Sequence, residues 1–119
     1  MSVATLGKLT LPSQDIARDV AWYIEHTGFK PVFYDNMYGV LQRDSLEIHL
    51  QWHADTPDDP LLGGSVIRIQ VEDLKSWFEE FLKKGTIKEE ALRLNTPWGT
   101  NEFGFYDLNK NAIFMMEDV

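Results

Sequence analysis

Apolar and polar positions alternate along several stretches of this chain, and two other stretches carry helical spacing. From Lys8 to Pro12, Leu9 and Leu11 point one way and Lys8 and Thr10 the other. That is the pattern of a strand half-buried on one face. Asp15 then stands at a helix start, with Ile16, Val20, Tyr23 and Ile24 on one stripe and Gly28 at the end. Pro31 to Tyr34 and Tyr38 to Gln42 predict two strands joined by Asp35-Asn36. Ser45 to Trp52 alternates again, setting Leu46, Ile48 and Leu50 against Glu47, His49 and Gln51. After the polar loop from His53 to Gly64, Val66 to Val71 places Ile67, Ile69 and Val71 on one face. Val66, Arg68 and Gln70 take the other face. Asp73 caps a second helix with Leu74, Trp77, Phe78, Phe81 and Leu82 at helical spacing, and Gly85 ends it. Strands are expected around Ala91 to Asn95, Glu102 to Asp107 and Asn111 to Glu117, with Asn109-Lys110-Asn111 as the last turn.

The elements repeat. Asp15-Ile16 recurs as Asp73-Leu74, 58 residues on, carrying Val20 onto Phe78 and Tyr23 onto Phe81. Tyr38-Gly39-Val40 recurs as Phe103-Gly104-Phe105, 65 residues on, carrying Ile48 onto Ile113 and His49 onto Phe114. The second copy therefore holds about seven extra residues between Gly85 and Phe103, and Pro97-Trp98-Gly99 lies among them. Each copy reads β-α-β-β-β. The expected fold class is α+β: a single domain over residues 1–119, with a first module at 5–52, a linker at 53–64 and a second module at 65–118. Helix-side positions (Leu9, Leu11, Ile48, Leu50, Ile67, Ile69) are uniformly apolar. The opposite face is mixed: Thr10, Val40, Glu47, His49, Gln51, Arg68, Gln70, Phe105 and Phe114. A mixed second face suits a wetted cavity, so the two modules are expected to form a curved, cup-shaped mixed sheet with helices on its convex side.

Composition narrows the function. The chain has 119 residues, enough for one real core. A net charge of −8 argues against nucleic acid, and suits a cationic ligand or simple solubility. No cysteine is present, so there is no disulfide framework and no thiolate chemistry. Met1 to Thr5 has neither a basic start nor a long apolar core, and no apolar run approaches a membrane span. A cytoplasmic location is the default expectation. There is no Ser/His/Asp nucleophile pattern and no phosphate-gripping glycine loop.

Several residues together carry a resemblance. They are Leu11 to Asp15, Trp22-Tyr23 with Gly28-Phe29, Val40 to Arg43 followed by Leu46 to His49, Pro97-Trp98-Gly99 followed by Glu102-Phe103, and the turn from Asp107 to Asn111. In this order and spacing, over roughly residues 5 to 118, the chain resembles the glyoxalase/bleomycin resistance/dioxygenase (vicinal oxygen chelate) superfamily. Within it the chain is most similar to the bleomycin-resistance type.

That resemblance implies a non-catalytic protein that sequesters a drug. Members of this type form homodimers holding two ligands in crevices built by both subunits, and bleomycin-type drugs carry a flat heteroaromatic unit and a cationic tail. The candidate ligand-binding residues are Trp98, Phe33, Tyr38, His49, Gln51, Arg68, Phe103, Phe105 and Phe114. Trp98 has two open readings, an aromatic wall for the ligand or a packing plug at the dimer contact. In the superfamily's enzymes, metal ligands come from the first and last strand of each module. The corresponding positions are expected to be Lys8, Val66, His49 and Phe114, and three of these are no ligand for a divalent cation. No metal site, cofactor or catalytic residue is therefore expected. The alternatives are a metal-dependent lyase or transferase of the glyoxalase or fosfomycin-resistance kind, and a binding module for an endogenous metabolite. Resistance proteins of this type often carry a proline near position 9, associated with arm exchange between subunits. Here position 9 is Leu, and the proline is Pro12.

Overall fold

A computed structural model describes residues 2–119; Met1 lies outside the described residues. The element order is β1 (Thr10–Ser13), α1 (Ile16–Thr27), β2 (Lys30–Tyr34), β3 (Tyr38–Arg43), β4 (Leu46–Trp52), β5 (Val66–Gln70), α2 (Leu74–Lys83), a 3-10 turn (Glu89–Ala91), β6 (Thr100–Tyr106) and β7 (Ala112–Asp118). The strands form two mixed sheets, ordered β1-β4-β3-β2 and β5-β7-β6. β1 runs parallel to β4 and β5 parallel to β7, while the remaining pairs are antiparallel. The expected cup is thus made of two sheets, one from each copy.

Local chemistry explains the helices. The Asp15 side chain accepts from the Arg18 backbone N–H at 3.1 Å, satisfying an N-terminal donor of α1. Gly28 closes that helix in the left-handed region at φ +74°. A side chain there would also stand 2.6 Å from Nη1 of Arg43. Asp73 caps α2, accepting from the Ser76 hydroxyl at 2.6 Å. The buried stripe of α1 (Ile16, Val20, Tyr23) and that of α2 (Leu74, Phe81) enter one core with Leu41, Ile48, Leu50, Ile67, Ile69, Ile113 and Met115. Ile24, expected on the stripe of α1, is 44% exposed, and Leu9, expected beside the helices, is 38% exposed because β1 begins only at Thr10.

One strand expected from the sequence is absent. Residues 91–95 make a single bridge, Arg93 to Glu102, after the 3-10 turn. The extra length of the second copy is spent on this irregular path. The second sheet therefore has three strands where the first has four.

The two copies are tied by a buried polar knot at the turn between β6 and β7. The Asp107 carboxylate accepts from the backbone N–H groups of Asn109 (2.8 Å) and Asn111 (3.0 Å), the Asn111 amide (2.8 Å) and the Tyr23 hydroxyl (2.6 Å). Asn109 donates to Asp19 at 2.6 Å, and Asp19 also accepts from Ser13 and Arg18. Asn111 donates to the Pro12 carbonyl and accepts from the Ser65 N–H, joining β1 to the start of β5. Burial, and then the nearby Asp107 charge, push the Tyr23 phenol well above its usual pKa of 10.0. It remains a neutral donor throughout the ordinary pH range. Replacing Asp107 by Ala strands at least four buried donors, and each unmade bond costs about 1–3 kcal/mol. Asp107→Ala should lower unfolding free energy by about 3 kcal/mol or more in urea denaturation. A loss below about 1 kcal/mol would show that the knot does not hold the copies together.

Candidate functional site

The sheet faces turned away from the helices carry the chain's unusual chemistry. In the second sheet, Arg68, Phe114 and Gly104 form one cross-strand row. A Cβ at Gly104 would lie 2.7 Å from two carbons of the Phe114 ring, so the ring lies over the glycine backbone. The Arg68 guanidinium sits 5.1 Å from the centre of the same ring, within cation–π range.

Beside this row, on the same face of β6, is Glu102, only 1% exposed. Its Oε1 accepts three side-chain donations: from Arg68 Nη2 at 2.7 Å, Trp98 Nε1 at 2.8 Å and the Thr100 hydroxyl at 2.6 Å. Oε2 is buried with no hydrogen-bond partner, the sole such side-chain atom among the described residues. Burial alone would raise the Glu102 pKa. The donations from Arg68, Thr100 and Trp98 outweigh it and hold the carboxyl at about 2.

Trp98 projects from a tight turn in which Thr96 and Thr100 bond through both backbone and hydroxyl groups. The indole is anchored at its polar tip, yet the residue is 54% exposed. The Arg93 guanidinium lies 5.3 Å from the ring centre, so one face carries a cation.

In the first sheet the open face carries a chain of three groups. Glu47 lies 3.1 Å from His49 Nε2, and Nδ1 lies 2.6 Å from the Tyr38 hydroxyl. A carboxylate only accepts, so Nε2 carries the hydrogen and Nδ1 accepts from the phenol when the ring is neutral. Phe33, 53% exposed, pairs with Val40 on the edge strand β2, and Gln51 is exposed opposite Tyr38.

The candidate residues therefore fall into three places. Arg68, Phe114 and Trp98 gather around Glu102 on the second sheet, while Phe33, Tyr38, His49 and Gln51 lie on the first. Phe103 and Phe105 sit on the opposite side of β6 from Glu102, packed against Phe78 and Phe81 of α2 and, for Phe105, Trp22 of α1. They are core residues and do not line an open face. The physical reason is a register difference between the copies. Val40 pairs with His49, but Gly104, not Phe105, pairs with Phe114. Gly39 looks toward Ile16 and Val20 of α1, whereas Gly104 looks the other way. A one-residue slip exchanges the faces of a strand.

The expected ligand positions also shift. His49 pairs with Thr10 and Phe114 with Arg68; Lys8 precedes β1, and Val66 pairs with Ala112. Among the described residues no three His, Cys, Asp or Glu side chains converge. Glu47 and His49 stand on one strand, and the other register positions hold Thr10, Arg68 and Phe114.

A cleft of about 620 Å³ between the β3–β4 turn and β5 reaches Arg68 and Gln70, alongside Leu9, Arg43 and Trp77. A second, of about 510 Å³, lies beneath α2 against Leu92 and Leu94, away from the candidate residues.

Sequence reasoning missed Glu102, Thr100 and Arg93. The available signal was parity: with Phe103 on the core side, Glu102 must stand on the open side, four residues from Trp98.

These features define a class, the α+β protein of two paired modules, each with its helix on one side of a sheet and a polar, aromatic face on the other. The chain belongs to the glyoxalase/bleomycin resistance protein/dioxygenase superfamily, whose family model matches residues 5–113. In sequence it is similar to the bleomycin resistance proteins of Geobacillus stearothermophilus and Staphylococcus aureus, at 22% identity over 92% of this chain and 93% of theirs. In structure it is similar to a bleomycin resistance determinant encoded on the transposon Tn5, with TM-score 0.80, 22% identity and coverage of 97% of this chain and 98% of that one. It is likewise similar to a bleomycin-binding protein solved in complex with bleomycin, with TM-score 0.78, 21% identity and coverage of 98% and 100%. At these identities the structural likeness shows the fold. No helix among the described residues is long and apolar enough to cross a membrane.

Because Glu102 titrates lower in the folded chain than its ordinary 4.5, it contributes stability above that value and loses it as pH falls toward about 2. Glu102→Gln should therefore lose less stability than wild type between about pH 5 and pH 2.5, measured by chemical denaturation. Equal losses would contradict the assignment.

Proposed function

We propose that this protein binds a small molecule without turning it over, in crevices of a homodimer, and that the ligand is a bleomycin-type drug. The observation carrying this reading is Trp98: a half-exposed indole fixed at its N–H by a buried carboxylate, beside the Arg68-covered ring of Phe114. A flat ring held flat is suited to stack a heteroaromatic group. The net charge of −8 favours a cationic tail, and the field doubles in a dimer. The bleomycin resistance proteins among the relatives support the choice of ligand.

The homodimer reading is supported by the separation of the two faces. Phe33, Tyr38 and His49 stand on the first sheet, and Arg68 on the second with Trp98 in the turn that leads into it. A second copy that brings the first sheet of one subunit over the second sheet of the other completes a crevice. The module division at residues 5–52, 53–64 and 65–118 is part of the same proposal. The metal-dependent lyase or transferase alternative needs ligands that the register positions Thr10, Arg68 and Phe114 do not offer. A metabolite would replace the drug without changing the residues involved.

Calorimetric titration of bleomycin is the test. Trp98→Ala should weaken binding by about 1–3 kcal/mol while the protein remains dimeric. Equal affinity in a dimeric Trp98→Ala variant would remove Trp98 from the crevice. Light scattering should report twice the 13.8 kDa chain mass; a monomer at all concentrations would refute the two-subunit crevice.

A further inference from the structure

We propose that Glu102 is the positioning residue of the binding face, a single carboxylate oxygen that fixes both the Trp98 indole and the Arg68 guanidinium above Phe114. The inference rests on the reading of this face as the ligand site, and its first test needs no ligand.

Three donors from three parts of the chain converge on one atom. Trp98 comes from the irregular segment, Thr100 from the start of β6 and Arg68 from β5. Among the described residues the Trp98 side chain makes no other hydrogen bond; its ring is half exposed, with Arg93 over one face. Arg68 spans the carboxylate and the Phe114 ring, so the same oxygen also sets where the cation sits on that ring. The two aromatic surfaces a ligand would meet are thereby referenced to Glu102. A buried carboxylate with one unpartnered oxygen is an expensive arrangement for stability alone. Asp107 and Asp19, which tie the copies together, are fully satisfied.

The indole N–H signals of nitrogen-15-labelled protein provide the readout, with the Trp98 signal identified by its loss in Trp98→Phe. In wild type the Trp98 N–H should exchange with solvent at least about ten-fold more slowly than a free indole. Glu102→Leu should bring it to free-indole position and exchange. Glu102→Gln, which keeps an acceptor oxygen, should retain most of the protection. Trp22, Trp52 and Trp77 should be unmoved in both variants. An unprotected Trp98 N–H in wild type overturns the inference, as does an unmoved signal in Glu102→Leu. The wild-type measurement decides the point even where Glu102→Leu misfolds. In bleomycin titration, Glu102→Leu should weaken binding by about ten-fold or more, and Glu102→Gln by less. Wild-type affinity in Glu102→Leu overturns the positioning role. If wild type itself binds no bleomycin, the drug reading fails and the indole signals alone decide for or against Glu102.

Discussion

Everything on the open faces depends on how the Asp107–Asn111 turn is buried. Two copies of a β-α-β unit have no covalent reason to hold a fixed orientation. Here the second copy inserts its last turn between β1 and α1 of the first. The bonds that result join residues 84 to 99 positions apart in the chain. Two carboxylates, Asp19 and Asp107, are taken out of water to do this, at 1% and 5% exposure. Such burial is costly unless the carboxylate oxygens find donors, and both oxygens of each of these two do. The turn supplies uncharged donors, backbone N–H groups and Asn amides, and Tyr23, Ser13 and Arg18 of the first copy supply the others. Tyr23 shows how closely the knot is coupled to the core: its ring fills the apolar stripe of α1 while its hydroxyl ends on Asp107.

A second clasp acts at the other end. Arg43, at the end of β3, makes a two-pronged pair with Glu80 of α2 at 2.7 Å on both arms. It also donates to the Thr27 carbonyl and lies 3.9 Å over the Trp77 ring. Its hydrogen bonds hold the Glu80 carboxyl below its ordinary range against the opposing effect of burial. The pair is partly solvated, so screening limits its strength; geometry is its main contribution. Arg43 and the buried turn thus join the two copies at two separate places.

The sequence displayed what depends on local periodicity. Asp15 and Gly28 bracket α1 and Asp73 begins α2, because caps act within a turn of the residue that supplies them. Alternation placed Ile48, Leu50, Ile67 and Ile69 inside correctly, because a strand with one buried face declares its parity. What was hidden depends on pairing across the chain. The glycines Gly39 and Gly104 are markers of the same repeat, yet they face opposite sides of their sheets. Nothing local distinguishes a glycine beneath a helix from one beneath Phe114. Counting from that marker sent Phe105 to the wrong face and left Glu102 without a role at the site. The buried turn was visible only as a turn, since its partners Ser13, Asp19 and Tyr23 lie in another module. The residues around Ala91 to Asn95 carried a strand pattern but make only a single ladder bridge to β6.

That last departure is what makes the second copy different in kind from the first. In the first copy, β2 completes the sheet as an edge strand with one register shift between Pro31 and Phe33, and the open face is left to Phe33, Tyr38 and His49. In the second, the extra residues do not build the matching strand. They make one ladder bridge to β6, Arg93 opposite Glu102, add side-chain and turn bonds from Asn95 and Thr96 to Asn101 and Thr100, and turn sharply at Pro97-Trp98-Gly99. The single bridge puts the Arg93 and Glu102 side chains on the same side of the chain, one above the Trp98 ring and one beneath its N–H. A regular strand would have spread those positions along an edge at two-residue intervals. The irregular path folds them around one indole. Loss of repeat symmetry and gain of an anchored aromatic surface are thus one structural event, and the residues that break the repeat are those that make the two faces chemically unlike.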